Sequence, residues 1–198
     1  TAEDIGLPGD DGYEGAKCVC SPPPRDPENQ AAVWRALAGG VFSVFSSDHA
    51  PFNYDDPEGK KPGGQAQPFD HIPNGVPGIE TRLPLLFDGI AQGKLSLHQF
   101  VELTSYRPAR LYGLYPRKGT IAVGADADIA LWDPVRRVRI TNDALHHAVD
   151  YTPYEGMEVT GWPVHCFSRG EQLVDNGKYL EPAPGRGQFL PAGAPSLV

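Results

Sequence analysis

The sequence predicts an α/β fold that passes into a β-rich module towards the C-terminal end. A helix-forming stretch, ENQAAVWRALAGG, is followed at once by the uncharged, β-branched and aromatic stretch VFSVFSS. Such a stretch is typical of a strand buried on both faces, and a helix followed by a buried strand indicates an α/β fold. From Arg117 onwards, glycine-punctuated β patterns replace the helical ones.

The N-terminal half is predicted to combine strands, helices and one long loop. AKCVCSPPP is interpreted as a short strand ended by three prolines, with Cys18 and Cys20 as buried thiols on one face. The helix in ENQAAVWRALAGG is predicted to end at Gly39-Gly40. Residues 50–78 form a polar stretch that is too long for an ordinary connection, so we expect it to be functional or disordered.

Further helices and a set of strands are predicted downstream. IETRLPLLFDGIAQGK favours a helix with Pro84 in its first turn or at a kink, and Ser96 is a candidate cap for LHQFVELTS. KGTIAVGADADIALWDP and RRVRIT predict strands, and two short strands are expected around Arg169-Gly170. Asn176-Gly177 is the signal for a type I′ hairpin turn. Residues 181–198 show no periodicity and predict an extended tail, either loose or lying on a neighbouring subunit.

Composition excludes several classes of partner. The chain has 198 residues, and its 17 Lys and Arg against 25 Asp and Glu give a formal net charge of -8 and a pI near 5.1. This balance disfavours nucleic acid and anionic membranes. No apolar run reaches the roughly 18 residues that cross a bilayer, and no signal segment opens the chain, so a cytoplasmic location is expected. The three cysteines are too few for a disulfide framework or a zinc site.

Asp48 is the most informative position for chemistry. It directly follows the predicted buried strand, where parallel α/β folds place catalytic groups. A carboxylate there could bind a divalent metal and exchange a proton with an attacking water, although a turn or capping Asp is the alternative interpretation. His49 would point to the opposite face of a continuing strand, so a supporting role is favoured for it. The remaining histidines show no ligand spacing, and His146-His147 is interpreted as an ordinary polar stretch.

Two backbone segments are candidates for binding an amide ring. Pro73-Asn74-Gly75 is a turn by propensity, and a plain β-turn is the simpler interpretation. A turn also exposes N–H and C=O groups, which are complementary to the C=O and N–H of an amide or imide. The same argument applies to Ser21, whose backbone is stiffened by the prolines that follow it.

Several long motifs together resemble the dihydropyrimidinase/hydantoinase family of the amidohydrolase superfamily. They are CSPPPR, SSDHAPFN, HIPNGVPGIETRLPLLF, FVELTSYRPARLYGLYPRKGTIAVGADADIALWDP and YTPYEGMEVTGWP. The resemblance covers nearly all of residues 13–190 but matches only the C-terminal portion of such an enzyme. It implies that residues 1–113 are the last strand and helix units of a (β/α)8 TIM-like barrel. Residues 114–180 would then be the C-terminal share of a small β-sandwich, followed by the tail, 181–198.

The resemblance also implies an activity and site residues. Family members hydrolyse cyclic amides, such as dihydropyrimidines and hydantoins, with a metal-activated hydroxide at a centre of two divalent ions, expected here to be zinc. Asp48 matches the aspartate that binds one metal and acts as general base and acid. The main chain at Ser21 and Asn74 matches the positions that hydrogen-bond the ring. The family motif often contains DHCPF, and Ala50 replaces that cysteine here.

The family's other metal ligands have no counterpart in this chain. They are an H-x-H pair, a carboxylated lysine and two further histidines, all from the N-terminal part of the barrel. Because a catalytic metal needs about three protein ligands, the chain alone is expected to be inactive. A missing N-terminal portion is therefore an expected partner. The uncovered strand edges and apolar faces of such a fragment favour self-association or a partner chain, and family members are mostly homotetramers.

Two alternatives stay open beside the leading hypothesis. One is a non-catalytic scaffold similar to the collapsin response mediator proteins, which lack an aspartate at this position and alter the PNG turn. This chain keeps Asp48 and Pro73-Asn74-Gly75, which favours an enzyme. The other is an allantoinase-type cyclic amidohydrolase, although HIPNGVPGIETRLPLLF is more similar to hydantoinases.

Overall fold

A computed structural model describes residues 13–196 as two compact units. The first contains residues up to Arg35, together with Ser47–Arg82 and Arg139–Glu158. The second contains Ala36–Ser46, Leu83–Val138 and the residues from Val159 onwards. The opening residues 1–12 and the last two residues of the predicted tail lie outside the described part.

The predicted helices are confirmed. Helix α1 spans Glu28–Ala38 and is followed by Gly40 with a φ of 75°, a conformation that glycine adopts without a steric penalty. Helix α2 spans Arg82–Ala91, with Pro84 in its first turn. Helix α3, Leu97–Val101, opens with a capping box in which Ser96 and Gln99 each bind the other's backbone N–H. A π-helical stretch, Glu102–Tyr106, joins α3 to α4, Arg107–Leu111.

A four-stranded sheet follows, with the strands in chain order. Its strands are β1 (Ile129–Arg139), β2 (Glu158–Ser168), β3 (Glu171–Asp175) and β4 (Lys178–Tyr179). Strands β2, β3 and β4 are joined by antiparallel pairing. Both predicted turns are confirmed, because Arg169-Gly170 connects β2 to β3 and Asn176-Gly177 connects β3 to β4. Asn176 and Gly177 have φ values of 47° and 83°, the left-handed pair that a type I′ turn requires.

The core of the second unit is an aromatic cluster. Phe87 stacks on Trp132 with ring centroids 4.5 Å apart, and Phe100 meets both rings edge-on. Gly161 of β2 lies against Phe87, and a Cβ at this position would come within 2.1 Å of the Phe87 ring. Asp88 ties the same helix to β2, since its carboxylate accepts a hydrogen bond of 2.9 Å from the Thr160 N–H. Packing and hydrogen bonding thus fix α2 on the sheet.

Two strand predictions are wrong. VFSVFSS forms no strand, and Val41 and Phe42 are 72% and 41% exposed. A buried parallel strand needs partners on both sides, and the described residues supply only one isolated parallel bridge nearby, between His49 and Val76. AKCVC is also not a strand, because Glu14–Cys18 forms a 3-10 helix. Cys18 belongs to this helix and Cys20 does not, so the two thiols do not share the face of a strand as expected.

The glycine-punctuated β pattern after Arg117 forms turns in its first half and a strand in its second half. Ion pairs hold these turns, since Asp126 contacts Arg117 at 3.1 Å and Lys118 at 2.9 Å, and Lys118 also pairs with Asp128. Strand β1 begins only at Ile129. The ion pairs and the glycines with positive φ therefore lie in turns, and the strand begins after them.

The described part of the tail, residues 181–196, contains no helix or strand and lies along its own unit. The Gly193 N–H donates to the Gly113 carbonyl at 2.8 Å, and Ser196 exchanges two hydrogen bonds with Arg110. Arg186 pairs with Glu171 at 2.8 Å. Of the helices described between residues 13 and 196, none has the length and apolar character to span a membrane.

Candidate active site

Three chain segments lie side by side in the first unit and carry the predicted site residues. They are residues 19–21, 48–50 and 73–76. The Gly75 N–H donates to the Val19 carbonyl at 3.0 Å, and the Ala50 N–H donates to the Val76 carbonyl at 3.2 Å. The 73–76 segment is therefore hydrogen-bonded to both of the others. This arrangement brings Ser21, Asp48 and Asn74 onto adjoining segments.

Ser21 and Asn74 meet directly. The Asn74 Nδ2 donates to the Ser21 Oγ at 3.1 Å, and both residues are exposed. Within residues 13–196, the main-chain N–H and C=O groups of Ser21 and Asn74 make no hydrogen bond of their own. These groups can therefore pair with an outside amide, which has one N–H and one C=O to offer.

Asp48 is exposed and has a φ of 46°, in the left-handed region that aspartate adopts more readily than most residues. The adjacent His49 holds the segment in place. Its Nδ1 accepts hydrogen bonds from the N–H groups of Gly78 at 3.0 Å and Ile79 at 3.3 Å. His49 thus links the Asp48 segment to residues 78–79, which agrees with the supporting role predicted for it.

Gly75 is the point of closest approach between two of the segments. A Cβ built on Gly75 would lie 2.5 Å from the Ala50 carbonyl oxygen and 2.6 Å from the Ala50 Cβ. Both distances are far below the about 3.5 Å at which such atoms ordinarily pack. Glycine at this position therefore allows the turn to lie directly on the segment that carries Asp48.

The long polar stretch predicted to be functional or disordered is folded. Short 3-10 turns occur at Pro62–Gly64 and Phe69–His71. The carboxylate of Asp150 accepts hydrogen bonds from the N–H groups of Tyr54 at 2.6 Å and Asp55 at 3.1 Å, which secures the start of the stretch. These contacts make it a structured support for the site.

Sequence reasoning missed Lys60, which joins two of the three segments. Its side chain is fully buried, at 0% exposure, and its Nζ donates to the carbonyls of Val19 at 3.0 Å and Pro73 at 2.9 Å. Burial lowers the pKa of Lys60 from 10.5 to about 8, while nearby Cys20 and Cys18 act in the opposite direction. Nothing in the sequence around Lys60-Lys61 distinguishes a buried lysine from a solvated one.

The two neighbouring thiols are not nucleophiles. Burial raises the pKa of Cys18 to about 11, with Cys20 adding to the rise. Burial also raises the pKa of Cys20, opposed by the charge of Lys60 and assisted by that of Asp48. Both thiols are free, and their burial disfavours the thiolate form that an activated nucleophile needs.

Among residues 13–196, no group of three or more His, Cys, Asp or Glu side chains could hold a metal ion. Asp48 is the only predicted ligand in the chain, and one carboxylate does not make a catalytic metal site. The His146-His147 pair is used for local hydrogen bonds. His146 contacts Glu80 at 2.8 Å, and His147 contacts Asn142 at 2.7 Å.

Comparisons with known proteins identify the family. The model of the amidohydrolase family matches residues 19–173. The D-hydantoinase of Rhizobium radiobacter is 47% identical over 177 residues, covering 89% of this chain and 38% of that protein. A solved D-hydantoinase structure superposes with a TM-score of 0.86 at 45% identity, covering 96% of this chain and 40% of the other. The dihydropyrimidinase of Brevibacillus agri gives a TM-score of 0.80 at 46% identity over 86% of this chain and 36% of that one.

The chain therefore belongs to the amidohydrolase family, and the resemblance to hydantoinases and dihydropyrimidinases is confirmed. It spans about two fifths of the length of the relatives it matches. The mixed α/β fold with a small antiparallel sheet agrees with that membership.

Proposed function

We propose that this chain supplies the ring-binding and proton-transferring part of a metal-dependent cyclic-amide hydrolase. The observation that carries the proposal is that Ser21, Asp48 and Asn74 lie on three hydrogen-bonded segments, with all three residues exposed. The named relatives are hydantoinases and a dihydropyrimidinase. Hydantoins and 5,6-dihydropyrimidines are therefore the proposed substrates.

The main-chain groups at Ser21 and Asn74 would bind the ring. A cyclic imide presents C=O and N–H groups in one plane, and these are complementary to the N–H and C=O of an extended peptide. The hydrogen bond between the two side chains, 3.1 Å long, keeps the segments together without using the main-chain groups. Binding would orient the scissile carbonyl towards the Asp48 side of the site, which reduces the entropic cost of the reaction.

Asp48 would move the proton. As general base it would take a proton from the attacking water, and as general acid it would return that proton to the ring nitrogen. A C–O bond forms, the ring C–N bond breaks, and the product is an open-chain carbamoyl acid. The exposed position of Asp48 leaves its carboxylate accessible to a ligand from outside the chain.

The proposed cofactor is a pair of divalent ions, with zinc as the proposed metal. When bound, such ions polarise the substrate carbonyl and lower the pKa of a coordinated water. Within the described residues no group of three or more His, Cys, Asp or Glu side chains could hold a metal ion. We propose that Asp48 would supply one ligand and that a portion of the enzyme outside this chain would supply the others. We therefore propose that this chain alone has no activity. The term "assembled enzyme" below denotes this chain joined to, or associated with, that portion.

Exposed apolar side chains support a missing partner surface. Val41, in the stretch that the sequence predicts to be a buried strand, is 72% exposed, and Ile121 and Val123 are 84% and 109% exposed. We propose that neighbouring barrel strands would cover Val41. The other share of a β-sandwich would cover Ile121 and Val123. The division at about residue 113 into barrel and sandwich, and a homotetrameric assembly, belong to the same proposal.

The test is an Asp48→Asn variant of the assembled enzyme, assayed for ring opening of dihydrouracil and hydantoin. Loss of the general base and metal ligand should lower kcat at least about a thousandfold, which lies within the 10² to 10⁴ range that acid-base catalysis contributes. Asp70→Asn, which changes another exposed aspartate, is the matched control and should keep full activity. Full activity in Asp48→Asn would refute the assignment.

A further inference from the structure

Lys60 is a buried cation that the proposed chemistry does not yet use. Its side chain is 0% exposed, and among residues 13–196 its recorded hydrogen-bond acceptors are the two carbonyls of Val19 and Pro73, with no carboxylate paired to it. Burying an ammonium without a counter-ion is costly, and an apolar side chain of similar length would fill the same space without that cost. The amine is therefore expected to have a role that packing alone does not explain.

The two carbonyls that Lys60 binds set the directions of the main-chain N–H and C=O of Asn74. Pro73 and Asn74 share a trans peptide plane, in which the Pro73 C=O and the Asn74 N–H point in opposite directions. When Lys60 fixes the Pro73 carbonyl at 2.9 Å, it also fixes the direction of the Asn74 N–H. The Asn74 N–H then points away from the buried ammonium.

The same reasoning fixes the other main-chain group of Asn74. Its C=O shares a peptide plane with the Gly75 N–H, which donates to the Val19 carbonyl at 3.0 Å. That carbonyl is the second acceptor of Lys60, also at 3.0 Å. Both polar groups that Asn74 offers to a ring are thus directed by contacts that converge on Lys60.

Lys60 is itself held firmly enough to act as such a support. Its N–H donates to the Asn53 carbonyl at 3.0 Å, and its own carbonyl accepts from the Tyr13 hydroxyl at 3.2 Å and the Gln67 Nε2 at 3.3 Å. The preceding residue, Gly59, is also buried, and a Cβ on it would lie 2.7 Å from the Asn53 carbonyl oxygen. A site on a packed support keeps its geometry better than one on a free loop.

We propose that Lys60 is a positioning residue of the amide-binding site, which directs the main-chain N–H and C=O of Asn74 towards the cyclic amide. The proposal rests on the proposed function for the identity of the ligand. The hydrogen-bonding arrangement itself does not depend on catalysis and can be tested without it.

The first test uses this chain alone. Hydrogen exchange of the Gly75 amide, measured by NMR, reports the contact between Gly75 and Val19. In Lys60→Met this exchange should be at least about tenfold faster than in the wild type. The matched control is Lys61→Met, whose ammonium lies over the rings of Tyr13 and Tyr54 at 5.8 and 5.7 Å and should leave the Gly75 rate unchanged. Equal Gly75 exchange in the wild type and Lys60→Met would overturn the proposal.

A second measurement needs no Lys60 variant, in case Lys60→Met does not fold. In the ¹⁵N-labelled wild type, the Lys60 ammonium should give a slowly exchanging Nζ resonance at neutral pH, because it is buried and donates to two carbonyls. Lys178, on the exposed strand β4, supplies the fast-exchanging reference, and Lys178→Met identifies its signal. Exchange as fast at Lys60 as at Lys178 would equally overturn the proposal.

The third test uses the assembled enzyme and separates positioning from mere stability. Loss of groups that bind the ring in both the ground and transition states raises KM, with little change in kcat. Lys60→Met should therefore raise KM for dihydrouracil about tenfold or more, and Lys61→Met should not. A lower kcat at unchanged KM means only a smaller folded fraction and would overturn the proposal. If the wild-type assembled enzyme opens no cyclic amide, the proposed function fails, and the exchange measurements alone decide the positioning role.

Discussion

Gly75→Ala tests the closeness of the turn to the segment that carries Asp48. The added Cβ would lie 2.5 Å from the Ala50 carbonyl oxygen and 2.6 Å from the Ala50 Cβ. Relief to ordinary contact distance requires the segments to separate by about 1 Å. That movement would break the 3.2 Å hydrogen bond from the Ala50 N–H to the Val76 carbonyl. Overpacking and the lost hydrogen bond together should lower the free energy of unfolding by about 2 to 4 kcal/mol.

The assay is urea unfolding of the 198-residue chain, with Gly187→Ala as the control. A Cβ on Gly187 would meet no atom within 4 Å, so that variant should stay within about 0.5 kcal/mol of the wild type. The double variant Gly75→Ala/Ala50→Gly should recover only part of the loss, because it removes the Ala50 Cβ but leaves its carbonyl oxygen. A Gly75→Ala chain as stable as the control would refute the described packing of the two segments.

Two further predictions concern the residues that support the site. His49→Ala leaves the N–H groups of Gly78 and Ile79 without their acceptor, and it should lower the free energy of unfolding by about 1 to 3 kcal/mol, whereas the exposed His71→Ala should not change it. Burial lowers the pKa of Lys60 from 10.5 to about 8, so between these pH values the unfolded chain keeps a proton that the folded chain has released. Stability relative to Lys60→Met should therefore rise with pH across that window, by up to about 3 kcal/mol, and a constant difference in urea unfolding would contradict the burial of the amine.

Elements that depend on local sequence could be predicted. Helix α1 is composed of good helix formers and ends at a glycine, and the Asn176-Gly177 turn needs only two residues able to adopt positive φ. The Ser96 cap is equally local, because its partner Gln99 lies three residues away. These features follow from the conformational preferences of neighbouring residues.

Features that depend on distant partners could not be predicted in the same way. VFSVFSS has the composition of a buried strand, yet a strand forms only where neighbouring strands supply hydrogen bonds, and Val41 remains exposed here. Lys60 shows the opposite case, a fully buried side chain within a polar stretch. Its hydrogen-bond partners, Val19 and Pro73, lie 41 and 13 residues away in the sequence. Ser21 and Asn74 were each predicted as ring-binding candidates, but the contact between their side chains, 53 residues apart, was not predicted.

We propose that this chain forms part of a cyclic-amide hydrolase and needs metal ligands from outside the chain to act. The most direct measurement is ring opening of dihydrouracil and hydantoin, followed by mass spectrometry of the carbamoyl-acid product. It compares this chain alone with the assembled enzyme, each supplied with zinc. Activity in the assembled enzyme and none in the chain alone is the predicted result. Equal activity in both would contradict the proposal that the chain alone is inactive. No ring opening in the assembled enzyme would contradict the proposed function.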